Sequence, residues 1–341
     1  MRDIADIKLT AVAPYPATNA SVRSRLLKWI ERLEPGSAHV VLGGADPFGL
    51  AARRLRIPTD GPLLLLRNAA KLSRGSIEAR ILSAGRPGVY DVDDGLPWDN
   101  GGLHGLGAWY KRPWPRSLIA LRAASAADRV IAGNEVLADW ATQWCADVVI
   151  IPTCVESSQY VAKTSYELSA TPRIGWMGSP ATESYLNDIA PALAEVHRRT
   201  GARLTLVSGH GKTPRSIAQF TDRISWSPAV QSCEPGSWDI GIMPLRDGVY
   251  ERAKCSFKLL QYAAVGLPMV GSPVGMNAEV LKLFDGLAAT TTAEWTESIV
   301  AILNEPVSRR AGRGQRAKTQ VERLYSYDRW EPSWRTAVGL Q

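Results

Sequence analysis

Short β-branched runs alternate with amphipathic stretches along almost the whole chain, and that rhythm leaves few folds open. Ile7–Ala13, His39–Gly43, Pro62–Arg67, Gly88–Asp93, Arg129–Gly133 and Val148–Ile151 read as strands. A second series follows at Arg173–Met177, Arg203–Val207, Trp238–Met243 and Pro268–Gly271. Helical periods separate most of them, which points to parallel sheets covered on both faces. Ser21 reads as the N-cap of the first helix, with Val22, Leu26, Trp29, Ile30 and Leu33 on one face and Pro35-Gly36 ending the run. Between the two series, Glu156–Thr171 is polar and aperiodic and reads as a linker. The expected domains are 1–160, 161–324, and a terminal helix over 325–341, carrying Trp330 and Trp334, that crosses back toward the first. Ligands in such folds sit at the carboxyl ends of strands, beside helix N-termini.

A chain of 341 residues with 45% apolar content buries a full core. It has no apolar run long enough to span a bilayer and no apolar signal-peptide core at its start, so a cytoplasmic protein is expected. The four cysteines, Cys145, Cys154, Cys233 and Cys255, form no CxxC pair or zinc-spaced set and read as reduced, mostly buried thiols. The net charge of +7 favours anionic partners. Much of it lies in clusters, at Arg53-Arg54-Leu55-Arg56 and from Arg309-Arg310 to Lys318. These read either as solvated helix faces or as contacts with a membrane surface or anionic acceptor. No aromatic-basic motif supports nucleic-acid binding.

The richest stretch runs from Asp239 to Glu279. A strand ends at Pro244, and a loop follows with Arg246, Glu251, Arg252 and Lys254. A helix then opens near Ser256-Phe257-Lys258 and stops at Gly266, with Leu259, Leu260 and Ala263 as its expected buried face. Lys254 and Lys258 near a helix start oppose its dipole unless an anion is bound there. Read from the spacing alone, they are either a diphosphate cradle together with the first-turn amides or ordinary surface lysines.

Asp239-Ile240-Gly241-Ile242-Met243-Pro244-Leu245, then Glu251-Arg252-Ala253-Lys254-Cys255-Ser256-Phe257-Lys258-Leu259-Leu260-Gln261-Tyr262-Ala263-Ala264 and onward to Gly275, resembles the donor-binding signature of retaining glycosyltransferases of family 4. The resemblance implies a GT-B fold, an α/β architecture of two Rossmann-like, doubly wound parallel-sheet domains facing each other across a cleft. It also implies transfer of a sugar from a nucleotide-diphosphate sugar to an acceptor hydroxyl, with retention and without a metal or other cofactor. One departure stands out. Many members carry two glutamates separated by seven intervening residues across this helix, where this chain has Ala253 and Gln261. Gln261 can still bond a ribose hydroxyl, and Glu251 is the candidate to replace the missing sugar contact.

Other pieces extend the resemblance. Ile174 through Thr182 is similar to the first strand and turn of the family's C-terminal domain, which makes Gly178, Ser179 and Thr182 donor-side candidates. Gly209 and His210 follow the next strand, in a loop that resembles the one near the nucleobase; His210 also reads as an ordinary loop histidine. Ser21, Arg23 and Arg25 begin a helix similar to the family's first, with Ser21 and Arg23 assigned to the acceptor side; Arg23 and Arg25 read either as cleft residues or as part of a solvated face. The donor set is then Gly178, Ser179, Thr182, Gly209, His210, Lys254, Ser256, Phe257, Lys258 and Gln261. Lys258, Glu251 and His104 are the catalytic candidates, His104 for facing the donor sugar.

Tyr90-Asp91-Val92-Asp93-Asp94 taken alone reads as a DxD metal site, but the second parallel series argues against the architecture that goes with one. Asp93 and Asp94 are therefore assigned an acceptor-side or structural role. The expected partners are a nucleotide sugar and an acceptor that is a sugar, a lipid-linked sugar or a secondary metabolite. Two rival readings keep the fold: a catalytically inactive nucleotide-sugar binder, and a nucleotide-sugar 2-epimerase. His39, His104, His197 and His210 are too scattered to favour the second.

Overall fold

The computed structural model describes residues 7–43, 61–70, 73–99, 115–209 and 213–340. Arg53–Arg56, His104 and His210 lie outside them. The chain divides into two compact units. Unit 1 comprises Met1–Cys154, Gly248–Cys255 and Tyr327–Gln341; unit 2 comprises Val155–Asp247 and Ser256–Ser326.

Unit 1 is built on a six-stranded parallel sheet of β1 (Leu9–Ala13), β2 (Ala38–Leu42), β3 (Leu63–Leu66), β4 (Gly88–Val92), β5 (Arg129–Ala132) and β6 (Val148–Ile150), in the order β2-β1-β3-β4-β5-β6. Strands β1, β3 and β4 are buried on both faces, which is why they read as nearly continuous apolar runs. On one face lies α1, formed by Ala20–Val22, a π-helical turn at Arg23–Leu27, and Lys28–Ile30. The cap of α1 is Asn19, not Ser21. The Asn19 side chain accepts from the amides of Ser21 and Val22, at 3.1 and 3.2 Å. Further helices of this unit include α2 (Ser76–Ala84), α3 (Arg116–Ala126) and α4 (Glu135–Ala141).

Unit 2 repeats the plan with β7 (Arg173–Met177), β8 (Arg203–Ser208), β9 (Thr221–Ser225), β10 (Ile240–Met243), β11 (Met269–Gly271) and β12 (Leu287–Ala288), in the order β12-β11-β10-β7-β8-β9. All pairings are parallel. Alternate residues serve the two faces. Ile174, Leu204, Leu206, Ile240 and Ile242 join α5 (Ala190–Thr200) and α8 (Thr292–Asn304) in one core. Met177, Val207 and Met243 join α6 (Phe257–Val265), α7 (Met276–Leu283) and α9 (Val307–Tyr325) in the other. The two-residue side-chain period of a strand produces this division.

Three sequence expectations change. The face expected for α6 was too narrow, since every residue from Leu259 to Val265 is buried. The stretch 156–171 is not a free linker, because Lys163 donates to the Trp238 carbonyl at 2.6 Å and Tyr166 to that of Gly266 at 2.8 Å. The cluster on α9 is not a uniformly solvated face: Arg310 and Arg313 are buried, Arg310 donates to the Tyr166 carbonyl, and Arg313 pairs with Glu305 at 2.6 Å. The thiols are mostly buried, as expected: Cys145, Cys154 and Cys255 are buried, Cys233 is exposed, and all four are free. Among the described residues, no helix is long and apolar enough to cross a membrane.

The last helix, α10 (Tyr327–Ala337), belongs to unit 1. Trp334 stacks on Trp29 at 5.1 Å, and the Tyr327 ring meets Trp29 edge-on at 4.7 Å.

Candidate functional site

In sheets of this kind the strand order reverses at one point, where the loops diverge and leave a crevice at the carboxyl ends. In unit 2 the reversal falls between β7 and β10. The turn after β7 is Gly178-Ser179, and Ser179 leads into a short turn at Pro180–Thr182. Thr182 Oγ1 donates to the Ser179 carbonyl at 3.0 Å. Gly178 is required by packing: a Cβ there would lie 2.5 Å from the Trp176 ring and 2.9 Å from Lys258 Cε. The Lys258 ammonium stands 5.3 Å from the Trp176 ring centroid, a cation–π contact. Gly178 and Lys258, far apart in sequence, are thus brought together.

Lys258 sits in the first turn of α6. That turn carries no acidic residue, and no side chain caps it. The preceding Ser256 adopts φ 53°, a left-handed conformation unusual for serine. Its hydroxyl donates instead to Asn277 Oδ1 at 2.6 Å. Phe257 is half-buried. Gln261 is buried, and its amide nitrogen donates to the Tyr160 hydroxyl at 3.1 Å. The Gly209 carbonyl accepts from Arg223, which also forms a two-bond pair with Glu183 at 3.1 and 2.6 Å. Arg223 and Glu183 went unremarked in the sequence because β9 is polar and carries no apolar run.

Unit 1 holds a chain of alternating charges. Arg25 is buried and bonds Asp91 through Nε and Nη2 at 3.0 and 2.9 Å, so it is neither a solvated nor an open-site arginine. Burial raises the Asp91 carboxyl above the usual carboxylate range, against the pull of Arg25. Arg67 bonds Asp93 at 2.5 Å and Ser21 Oγ at 2.6 Å. Asp94 accepts from Lys254 at 3.1 Å. Burial alone would raise Asp94, but Lys254, Arg67 and the Gly95 amide outweigh it and hold the carboxyl well below its usual value. Arg23 donates to the Thr18 carbonyl.

Each carboxylate of the D-x-D-D stretch is therefore matched by a cation, and among the described residues no group of three or more metal-ligating side chains occurs. Arg67 escaped the sequence reading, its only signal being a cation directly after four leucines.

Residues 248–255 are bound into unit 1. Asn134 caps α4 by accepting from the Leu137 amide at 3.0 Å, while its amide nitrogen donates to the Ala253 carbonyl at 2.8 Å. The Cys255 thiol donates to the Asp93 carbonyl, and burial pushes that thiol up to about 12. Lys254 also lies over the Tyr250 ring. Glu251 is buried in the short helix Val249–Arg252. Lys254 is thus placed with Asp94 in unit 1, and Lys258 with Trp176 and Gly178 in unit 2.

No protein-family model matches the chain, and no curated protein matches it significantly. Solved structures do. Sucrose-phosphate synthase from Thermosynechococcus elongatus superposes with a TM-score of 0.71 at 12% identity, over 96% of this chain and 98% of that one. WaaG, a glycosyltransferase involved in lipopolysaccharide biosynthesis, gives 0.66 at 13%, over 97% and 99%. An α,α-trehalose-phosphate synthase (UDP-forming) from Burkholderia vietnamiensis gives 0.66 at 11%, over 98% and 99%. At such identities the likeness speaks for the fold, and two parallel six-stranded units matched end to end by these enzymes give this chain the GT-B fold.

Proposed function

We propose that the chain is a glycosyltransferase that moves a sugar from a nucleotide-diphosphate donor to an acceptor hydroxyl. Transfer proceeds with retention at the anomeric carbon and needs no metal. The acceptor is a sugar, a lipid-linked sugar or a secondary metabolite, met in the cytoplasm. The observation that carries this reading is the start of α6. An uncapped helix N-terminus and Lys258 lie together beside Gly178, at the carboxyl edge of the second sheet. Helix amides and an ammonium are what a departing diphosphate requires.

Breaking the glycosidic bond leaves charge on the diphosphate, and Lys258 with the first-turn amides offsets it electrostatically. With retention, the donor phosphate oxygen takes the acceptor proton on the face from which the diphosphate departs, so no side-chain nucleophile is needed. UDP is the first nucleotide to try, since one enzyme of the same fold is UDP-forming.

The test is thermal-shift screening against UDP, GDP, dTDP and ADP sugars, followed by transfer assays with the donor that stabilises the chain. NMR of the product anomer reads retention, and activity in EDTA reads metal independence. Lys258→Ala is expected to lose about 2–4 kcal/mol of transition-state stabilisation. Near wild-type turnover in that variant would refute the role of Lys258.

A second reading, a nucleotide-sugar binder without transfer, is favoured by one observation. Ala253 and Gln261 occupy the positions of the family's glutamate pair, and the Gln261 amide nitrogen is engaged by Tyr160. Stabilisation by a donor with neither hydrolysis nor transfer would decide for it.

A further inference from the structure

Asn277 is buried to 1% exposure at the start of α7 and joins three segments. Its Oδ1 accepts from the Ser256 hydroxyl at 2.6 Å, and its Nδ2 donates to the Ser272 carbonyl at 3.2 Å. Ser272 Oγ in turn accepts from the Leu245 amide at 3.0 Å. The loops after β10 and β11 and the first residues of α6 and α7 are therefore tied to one amide side chain. Ser256 and Ser272 are buried too, so water does not compete for these bonds.

Serine is a preferred helix cap, but it caps from an extended backbone, with its hydroxyl turned onto the amides of the first turn. Ser256 does the opposite. Its backbone is left-handed, at φ 53° and ψ 21°, and its hydroxyl points away from its own helix. A non-glycine residue keeps such a conformation only where its surroundings impose it. The partner its hydroxyl takes here is the Asn277 carboxamide oxygen.

We propose that Asn277 is a positioning residue for the anion site at α6. By engaging the Ser256 hydroxyl, it prevents that serine from capping α6 and so keeps the first-turn amides available to an anionic ligand. The inference rests on the donor-site reading given above. Without Asn277, Ser256 relaxes to the extended conformation and occupies with its own oxygen the amides that a diphosphate would use. Asn277 touches no ligand in this scheme; it acts through Ser256.

The experiment is a double-mutant cycle read by isothermal titration with UDP and with inorganic pyrophosphate. Asn277→Ala is measured in the Ser256 background and in a Ser256→Gly background. Glycine adopts the left-handed conformation freely and has no hydroxyl with which to cap. In the serine background, Asn277→Ala is expected to weaken binding roughly five- to tenfold, the scale of one cap interaction. In the glycine background the same change should cost less than about twofold, because there is no cap to suppress. An equal loss in both backgrounds would mean that Asn277 is only a structural hub, and would overturn the proposal while leaving the donor site standing. If the otherwise wild-type protein binds neither probe, the donor-site reading and this inference fall together. Should Asn277→Ala fail to fold, Asn277→Ser keeps a polar group in the buried hub but is too short to reach Ser256, and it carries the same expectations.

Discussion

Two aspartates three positions apart respond to pH in opposite directions, and the difference lies in what faces them. Asp91 is raised by burial, with its ion pair to Arg25 pulling the other way. In Arg25→Ala it loses that partner, which should cost about 3–5 kcal/mol. A carboxyl whose pKa is raised on folding contributes stability below its unfolded value and loses it as pH rises through the folded one. Urea denaturation should therefore find Arg25→Ala more destabilised at pH 8 than at pH 5, and an equal deficit at both would count against the buried pair. Asp94 has a lowered pKa, so its contribution is complete above the ordinary value of 3.8 and disappears as pH falls. Asp94→Asn should lose about 3 kcal/mol at neutral pH and show a shallower acid limb in a pH titration of unfolding. Sequence reading located the acidic stretch, but not its partners. Arg25 and Arg67 are 66 and 26 residues from the carboxylates they bond, and residue type alone does not choose among distant cations.

Elements were legible wherever their own period was strong. The ten strands expected from apolar runs are all present, whereas β9 and β12 were missed. β9 reads Thr-Asp-Arg-Ile-Ser at a sheet edge, and β12 is two residues long, so neither leaves a hydrophobic pattern. Helix crossings were not legible at all. Where α9 crosses the end of α6, a Cβ at Gly314 would lie 2.1 Å from the Gly266 carbonyl oxygen, whereas a Cβ at Gly312, on the same helix, would meet nothing within 4 Å. The same substitution should therefore act with opposite signs two residues apart. Gly314→Ala should destabilise by about 1–3 kcal/mol through overpacking. Gly312→Ala should stabilise by about 0.5–1 kcal/mol through helix propensity. Thermal melts of the two variants check this, and two shifts of the same sign would refute the crossing.

Across the whole molecule, the chain changes unit after Cys154, Asp247, Cys255 and Ser326. The last change returns α10 to unit 1, where Trp334 covers Trp29. Trp334→Ala should cost about 3–5 kcal/mol, read as a lowered urea midpoint. A midpoint within error of the wild type would show that α10 does not stabilise unit 1. Alternation of strands and helices, and with it two parallel sheets, was determined by the sequence alone, because side-chain periodicity is a local property of a few neighbouring residues. So was the glycine that ends α6 in a left-handed turn. Tertiary structure alone decided that Lys254 belongs to unit 1 and Lys258 to unit 2, that Ser256 faces Asn277, and that the acidic stretch is neutralised by arginines and a lysine. Those outcomes depend on which distant residues share a low-dielectric space, where an unpaired charge or hydroxyl is costly.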